Sequence, residues 1–284
     1  MLVKVKIITD STCDLPLELL KELDVDFVSL GVTIGGTTYK DMLEIDPSKL
    51  FKLVSENKEM PKTSAVTPLV FEDIFSKYVS DGYEVVYIGI GSYLSSTYVN
   101  AYAAAQQFEG KVQIIDSKNL SSAIGLQILK LVELRDEGKN AKEMKKELEH
   151  ITPRVECSFA VDTMDYLHKG GRCSGITFFA GKLLRIHPVI KMTDGRLKVH
   201  KTPRGKMFKA LDIMIDEFKT QYLMGNVDLG KVMITHACTE EYSKYIFDKL
   251  SEFMDPKAIL ITVAGCVISS HCGPNCIGIL YIKK

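Results

Sequence analysis

Side chains able to do chemistry gather in a few short strings. The most unusual is Ser269-Ser270-His271-Cys272-Gly273-Pro274-Asn275-Cys276, with one imidazole and two thiols within six residues. A structural zinc site needs four ligands, and no second spaced Cys pair supplies the rest, so no metal is expected. A nucleophilic pair of Ser95 and His271 is a second chemistry, that of an acyl esterase or thioesterase. Ser95 lies in Tyr93-Leu94-Ser95-Ser96-Thr97, without the Gly-x-Ser-x-Gly elbow, and no acid is marked as third member. A lone His in a Gly-Pro loop is by default a surface residue, raised above that only by partners. Lys169-Gly170-Gly171-Arg172 has the look of a phosphate loop but lacks the Gly-x-x-x-x-Gly-Lys spacing that wraps backbone amides around phosphates. Its glycines instead let a turn leave a helix ending at Leu167-His168, with Arg172 exposed.

Hydroxyls concentrate in two further strings, Lys62-Thr63-Ser64-Ala65-Val66-Thr67-Pro68 and Gly91-Ser92-Tyr93-Leu94-Ser95-Ser96-Thr97-Tyr98. Each precedes an apolar helical stretch. Capping by Thr67 explains part of the first string but not Thr63 and Ser64; the second presents N–H groups and hydroxyls either to an anion or to a cap. Asp14 ahead of Pro16 suggests another cap, while Asp10 and Ser11 fall at the carboxyl end of the first strand, where open sheets bind ligands.

The elements that position these strings follow from the apolar rhythm. Strand-length runs alternate with amphipathic stretches: Val3 to Thr9 then Leu15 to Leu23, Glu84 to Ile90 then Thr97 to Phe108, Val112 to Asp116 then Leu120 to Gly138. This is the pattern of a parallel sheet with crossover helices, an α/β/α arrangement. The charged stretch Glu133 to Glu149, broken at Gly138-Lys139-Asn140, predicts two exposed helices ending at Thr152-Pro153, which places a domain boundary between 1–153 and 154–284. Beyond it, Val189 to Met192 and Leu197 to His200 flank Thr193-Asp194-Gly195-Arg196, a hairpin signal that makes the second sheet mixed or antiparallel. A helix over Lys206 to Tyr222, a strand Lys231 to His236, a helix Glu240 to Phe253 and strands Ala258 to Val263 and Ile277 to Ile282 complete an α/β C-terminal domain.

The 284 residues can bury a sizeable core, and 36 basic against 36 acidic side chains imply no general attraction to nucleic acid or anionic membrane. The start lacks the features of a signal peptide, and no stretch reaches the roughly 18 apolar residues of a membrane span. With seven cysteines, an odd number, mostly set singly, reduced thiols in a cytoplasm are expected.

Taken together, the strings resemble the DegV family of bacterial fatty-acid-binding proteins, which act as the lipid-carrying subunit of fatty acid kinase. The resemblance runs nearly end to end: Thr9-Asp10-Ser11 with Asp14-Leu15, Thr63-Ser64, Leu94-Ser95 with Thr97-Tyr98, Asp116-Ser117, Leu167 through Arg172, and His271-Cys272-Gly273-Pro274. It implies a two-domain carrier with a long-chain fatty acid buried between the domains. A separate ATP-dependent kinase would phosphorylate the carboxylate to an acyl phosphate for phospholipid synthesis, and this chain would be non-catalytic. It further implies that Thr63, Ser95 and His271 hold the carboxylate, with no cofactor besides the bound acid. Ser64, Ser96, Asp10 and Ser11 fall nearby as secondary pocket residues, and Arg172 is expected to face the kinase. Ala65-Val66-Thr67, Gly91, Ser96 and Asn275 depart from the family pattern around the head group. A lipid-dependent regulator is the alternative outside the enzyme class. The tail, at about 0.8 kcal/mol per buried methylene, would supply the affinity, while hydroxyl and imidazole donors offset carboxylate desolvation. Phe27 to Ile34 and Ile176 to Leu184, with Phe178, Phe179 and Leu183, are the candidate tail-lining stretches.

Overall fold

The computed structural model describes residues 4–173 and 186–284. In chain order, β1 (Val5–Asp10), α1 (Leu17–Glu22), β2 (Val25–Val28), β3 (Gly31–Ile34), β4 (Thr37–Lys40), α2 (Pro47–Asn57), β5 (Lys62–Ser64), α3 (Pro68–Ser80), β6 (Glu84–Gly89), α4 (Thr97–Ala105), β7 (Val112–Asp116), α5 (Ser122–Asp136) and α6 (Ala141–Ile151) precede Thr152. After it come β8 (Val155–Ala160), α7 (Asp165–Gly170), β9 (Val189–Thr193), β10 (Arg196–Lys201), α8 (Phe208–Leu223), β11 (Val232–His236), α9 (Glu240–Ser251), β12 (Ile259–Val263), α10 (Cys266–Cys272) and β13 (Ile277–Ile282).

The first sheet runs β2-β1-β6-β7 with every pairing parallel. β1 is buried along its whole length, as a strand covered on both faces must be. The second sheet runs β10-β9-β8-β13-β11-β12 and is mixed: β11 and β12 pair in parallel, the others antiparallel. The expected α/β architecture, parallel first and mixed second, is the one observed. Asp194 and Gly195, at φ of 50° and 75°, form the tight turn between β9 and β10.

A third sheet, β4-β3-β5, is antiparallel and was not visible in the apolar rhythm. Its strands are only three or four residues long, and Phe27 to Ile34 reads in sequence as one run although it is split between β2 and β3.

α5 is the crossover helix expected from Leu120 to Gly138, and only its end, from Glu133, falls in the stretch expected to be exposed. It packs between the two large sheets, touching β1 and β6 on one side and β8, β11 and β13 on the other, and is buried from Ser122 through Ile128. Gln127 survives there because its amide bonds to Ser117 O and its carbonyl accepts from Thr152 Oγ1 at 2.8 Å. Only the last turn of α5 and the outer face of α6 are solvated; α6 buries Ala141, Met144 and Leu148.

Two expected caps also fail. α1 follows Pro16 without a side-chain cap, and Asp14 instead adopts φ 55° and turns its carboxylate toward Ser121 and Gly265. Thr67 precedes Pro68 but makes no side-chain cap bond; Pro68, lacking an N–H, removes one of the donors a cap would serve.

Candidate functional site

A cavity of about 170 Å³ opens where the segments leaving β2, β6 and β7, the short third sheet and α10 meet, with walls from both sides of Thr152. Its polar part contains Thr63, Ser64, Ser95, Ser96, Arg172 and His271. The remainder is mostly apolar, with Leu30, Ile90, Leu94, Leu120, Leu197 and Ile268 among its walls. Among the described residues no carboxylate lines it, so their side chains facing the space are donors or neutral.

Thr63 is held by pairing of β5 with β3, opposite Val32. Its hydroxyl lies 2.9 Å from His271 Nε2. His271 occupies the last turn of α10, so its expected place in a loop is corrected: the loop begins only at Gly273. Gly170 presses against the ring, and a Cβ there would collide with Nδ1. Nδ1 is buried without a hydrogen-bond partner among the described residues. Burial, and then the charge of Arg172, push the imidazole down to about 4, so it is neutral at pH 7.

Ser95 lies in the turn from β6 to α4, where Leu94 N and Ser95 N both donate to Gly91 O. Its Oγ accepts from Thr97 N at 3.2 Å and lies 2.9 Å from Thr97 Oγ1. Ser95 thus bonds Thr97 while His271 bonds Thr63, which is not the nucleophile–base contact of an esterase. Ser96 caps nothing with its side chain.

Arg172 is exposed, as expected, but it is not free on its turn. Nε donates to Leu94 O at 3.2 Å and Nη1 to Gly170 O at 2.7 Å, so the guanidinium forms part of the cavity wall. Asp10 and Ser11 do not line the cavity. Asp10 accepts from Ile90 N, Tyr87 Oη and Thr12 N inside the sheet edge, and Ser11 bonds Asp41. Both are fully buried, which corrects their placement as pocket residues.

A second, smaller apolar cavity shares Leu120, Ile268 and Cys272 with the first and reaches Cys157, Phe159, Cys276 and Leu280. Of the two stretches offered as tail walls, Phe27 to Ile34 contributes Leu30; Val28, Val32 and Ile34 belong to the core instead. Ile176 to Leu184, with Phe178, Phe179 and Leu183, lies outside the described residues. Ile90, Leu94, Leu120, Leu197 and Ile268 were missed. Leu94 stood next to the proposed Ser95, whereas nothing in sequence marked Leu197. Among the described residues no group of three or more His, Cys, Asp or Glu could hold a metal ion, and no helix is long and apolar enough to cross a membrane.

A solved DegV family protein from Thermus thermophilus, described by its fatty acid binding, superposes with a TM-score of 0.91 at 29% identity, covering 99% of this chain and 100% of that one. A stearic-acid-binding protein from Eubacterium ventriosum superposes with a TM-score of 0.86 at 27% identity, covering 99% and 98%. A DegV domain-containing protein of Clostridium acetobutylicum is 34% identical over 282 residues, 99% of either chain. The family model described as "Uncharacterised protein, DegV family" matches residues 4–284. With that match and those relatives, the chain belongs to the DegV family.

Proposed function

We propose that the protein binds a long-chain fatty acid between residues 1–153 and 154–284, with its carboxylate on Thr63, Ser95 and His271, and presents it in the cytoplasm to a separate ATP-dependent fatty acid kinase that makes the acyl phosphate. The observation that carries this is a cavity whose polar end offers hydroxyls, an imidazole and a guanidinium while its other walls are aliphatic. An anion with a long apolar tail matches both ends. Structural relatives that bind fatty acids support the ligand class.

The chain acts as a carrier, and no cofactor or metal takes part. With the neutral His271 donating from Nε2 to Thr63 Oγ1, the Thr63 hydroxyl is free to donate to the carboxylate beside Ser95, so the head group is desolvated against donors without a buried permanent cation. The tail follows the apolar walls past Leu120 and Ile268. Mass spectrometry of lipid extracted from the purified protein, followed by titration with palmitic acid, tests the carrier; a protein that neither retains nor binds any long-chain acid overturns it. Adding a bacterial fatty acid kinase and ATP to the loaded protein tests the second half, which fails if no acyl phosphate forms.

A further inference from the structure

The helix that carries His271 has little local reason to form. α10 reads Cys-Val-Ile-Ser-Ser-His-Cys, with β-branched and serine residues of modest helix propensity, and its N-cap, Gly265, has no side chain to offer. Its first N–H groups are taken by two carboxylates from the opposite end of the chain. Asp41 accepts from Cys266 N at 2.7 Å and from Val267 N at 3.3 Å, and Asp14 accepts from Gly265 N at 2.8 Å. Gly265 lets them approach, since a Cβ there would stand 3.2 Å from an oxygen of each.

Both carboxylates are themselves fixed. Ser11 Oγ donates to Asp41 at 3.0 Å while accepting from Leu30 N at 3.1 Å, and Met42 N donates to Asp41 at 3.0 Å. Ser121 donates to Asp14. Leu30, and Leu120 beside Ser121, are cavity walls.

We propose that Asp41 and Asp14 are positioning residues for head-group recognition, fixing the N-terminus of α10 from the first half of the chain so that His271, at its other end, meets Thr63. This rests on the fatty-acid reading of the cavity. Five residues of helix make a lever of about 8 Å, so a small tilt at Asp41 moves the imidazole by more than a hydrogen bond tolerates. Carboxylates are a poor choice if stability alone were served. Burial pushes Asp41 up to about 6 and Asp14 well above the ordinary carboxylate range, so keeping both charged at neutral pH opposes folding.

The test is a coupling cycle in the full chain with Asp41→Asn, His271→Ala and the double variant, titrated with palmitic acid and with hexadecanol, and with the His271 ring followed by ¹⁵N NMR. Asn keeps the shape but turns an amide donor toward N–H and O–H donors. Asp41→Asn is expected to weaken palmitic acid binding about five-fold or more, to change hexadecanol binding less than about two-fold, and to add almost nothing once His271 is gone. The His271 ring signals should also shift. Equal losses for both ligands, or equal losses with and without His271, overturn the inference and leave the carboxylates a purely structural role. If Asp41→Asn does not fold, Ser11→Ala, which removes one support of Asp41, carries the same test. A wild-type protein that binds no palmitic acid sinks the fatty-acid reading instead. The inference then stands or falls on the ring signals, and unaltered His271 resonances in Asp41→Asn overturn it.

Discussion

Two polar clusters sit at opposite ends of α10, and they are built from opposite halves of the hydrogen-bond vocabulary. At the N-terminal end, Asp14 and Asp41 are buried acceptors surrounded by backbone N–H and serine hydroxyl donors. At the C-terminal end, Thr63, Ser95, His271 and Arg172 face a cavity with no carboxylate among the described residues of its walls. The first cluster is internally satisfied; in the second, His271 Nδ1 has no hydrogen-bond partner among the described residues. A satisfied cluster fits a scaffold, and hydroxyls, an imidazole and a guanidinium around an open space fit the proposed binding of an anion.

The largest effect that could break this contrast is on stability. Asp41→Ala strands the N–H groups of Cys266, Val267 and Met42, and each orphaned buried donor costs about 1–3 kcal/mol. A loss of about 3 kcal/mol or more is expected in urea unfolding, against about 1 kcal/mol for Thr63→Ala, which leaves only His271 Nε2 without its partner. Equal losses would mean that the clusters do not differ in kind.

The pH dependence of stability sharpens the contrast because the two ends carry opposite signs. His271 has its folded pKa lowered to about 4 from an ordinary 6.5, so the unfolded chain binds the extra proton and this contribution is lost as pH falls from about 6.5 to about 4. Asp41 has its folded pKa raised to about 6 from 3.8, so the folded chain binds the proton first and stability is gained as pH falls through the same region. Each amounts to roughly 3 kcal/mol and they largely cancel. Relative to wild type, His271→Gln should therefore gain stability on acidification from pH 7 to pH 4 while Asp41→Asn loses it. Thermal melts across that range check the signs, and parallel profiles for the two variants would refute them.

Binding comes next in size. Thr63→Ala, Ser95→Ala and His271→Ala should each weaken palmitic acid binding by about 1–3 kcal/mol, leaving a buried carboxylate short of a donor. Isothermal titration of the three variants decides it, and unchanged affinity in all of them would remove these residues from the head group.

The two ends of α10 were unequally visible in sequence, for a physical reason. The cavity end is built from strand-to-helix junctions, so Thr63 and Ser64 stood out as hydroxyls beyond the needs of a cap and His271 as an imidazole beside glycine and proline, while Ser95 stayed open between anion and cap until the family resemblance joined it to Thr63 and His271. The parallel sheet was equally legible, because strands such as β1 are continuous apolar runs. The scaffold end was hidden. Asp14 looked like the cap of α1 and Asp41 drew no attention, because their partner lies more than 200 residues away. α10 itself looked like a loop, since its cap is tertiary and its residues have weak helical preference. The short third sheet and the burial of α5 depend in the same way on what packs against them. Local pattern reveals what a segment prefers, not what distant segments impose on it.

Arg172 sharpens the contrast at its smallest scale, because it belongs to the cavity end yet already spends two donors on Leu94 O and Gly170 O. Its charge lies close enough to His271 to lower the imidazole pKa, second to burial. Burial is the larger cause of that depression, so Arg172→Ala should raise the pKa only part of the way back toward 6.5, read from the ring resonances as a function of pH. The guanidinium is exposed and its field is screened, so palmitic acid binding should weaken by no more than about 1 kcal/mol, and less as salt is added. Phosphoryl transfer is more demanding, since charge grows on the carboxylate's new phosphate at the cavity mouth, and a planar guanidinium can meet it with two parallel bonds. With the kinase and ATP present, Arg172→Ala should therefore slow acyl phosphate formation more than it weakens binding, and Arg172→Lys, which keeps the charge without the fork, should recover only part of the rate. A binding loss as large as that of His271→Ala would move Arg172 into direct contact with the resting carboxylate. An unchanged phosphorylation rate would reduce it to a strut tying Leu94 to Gly170.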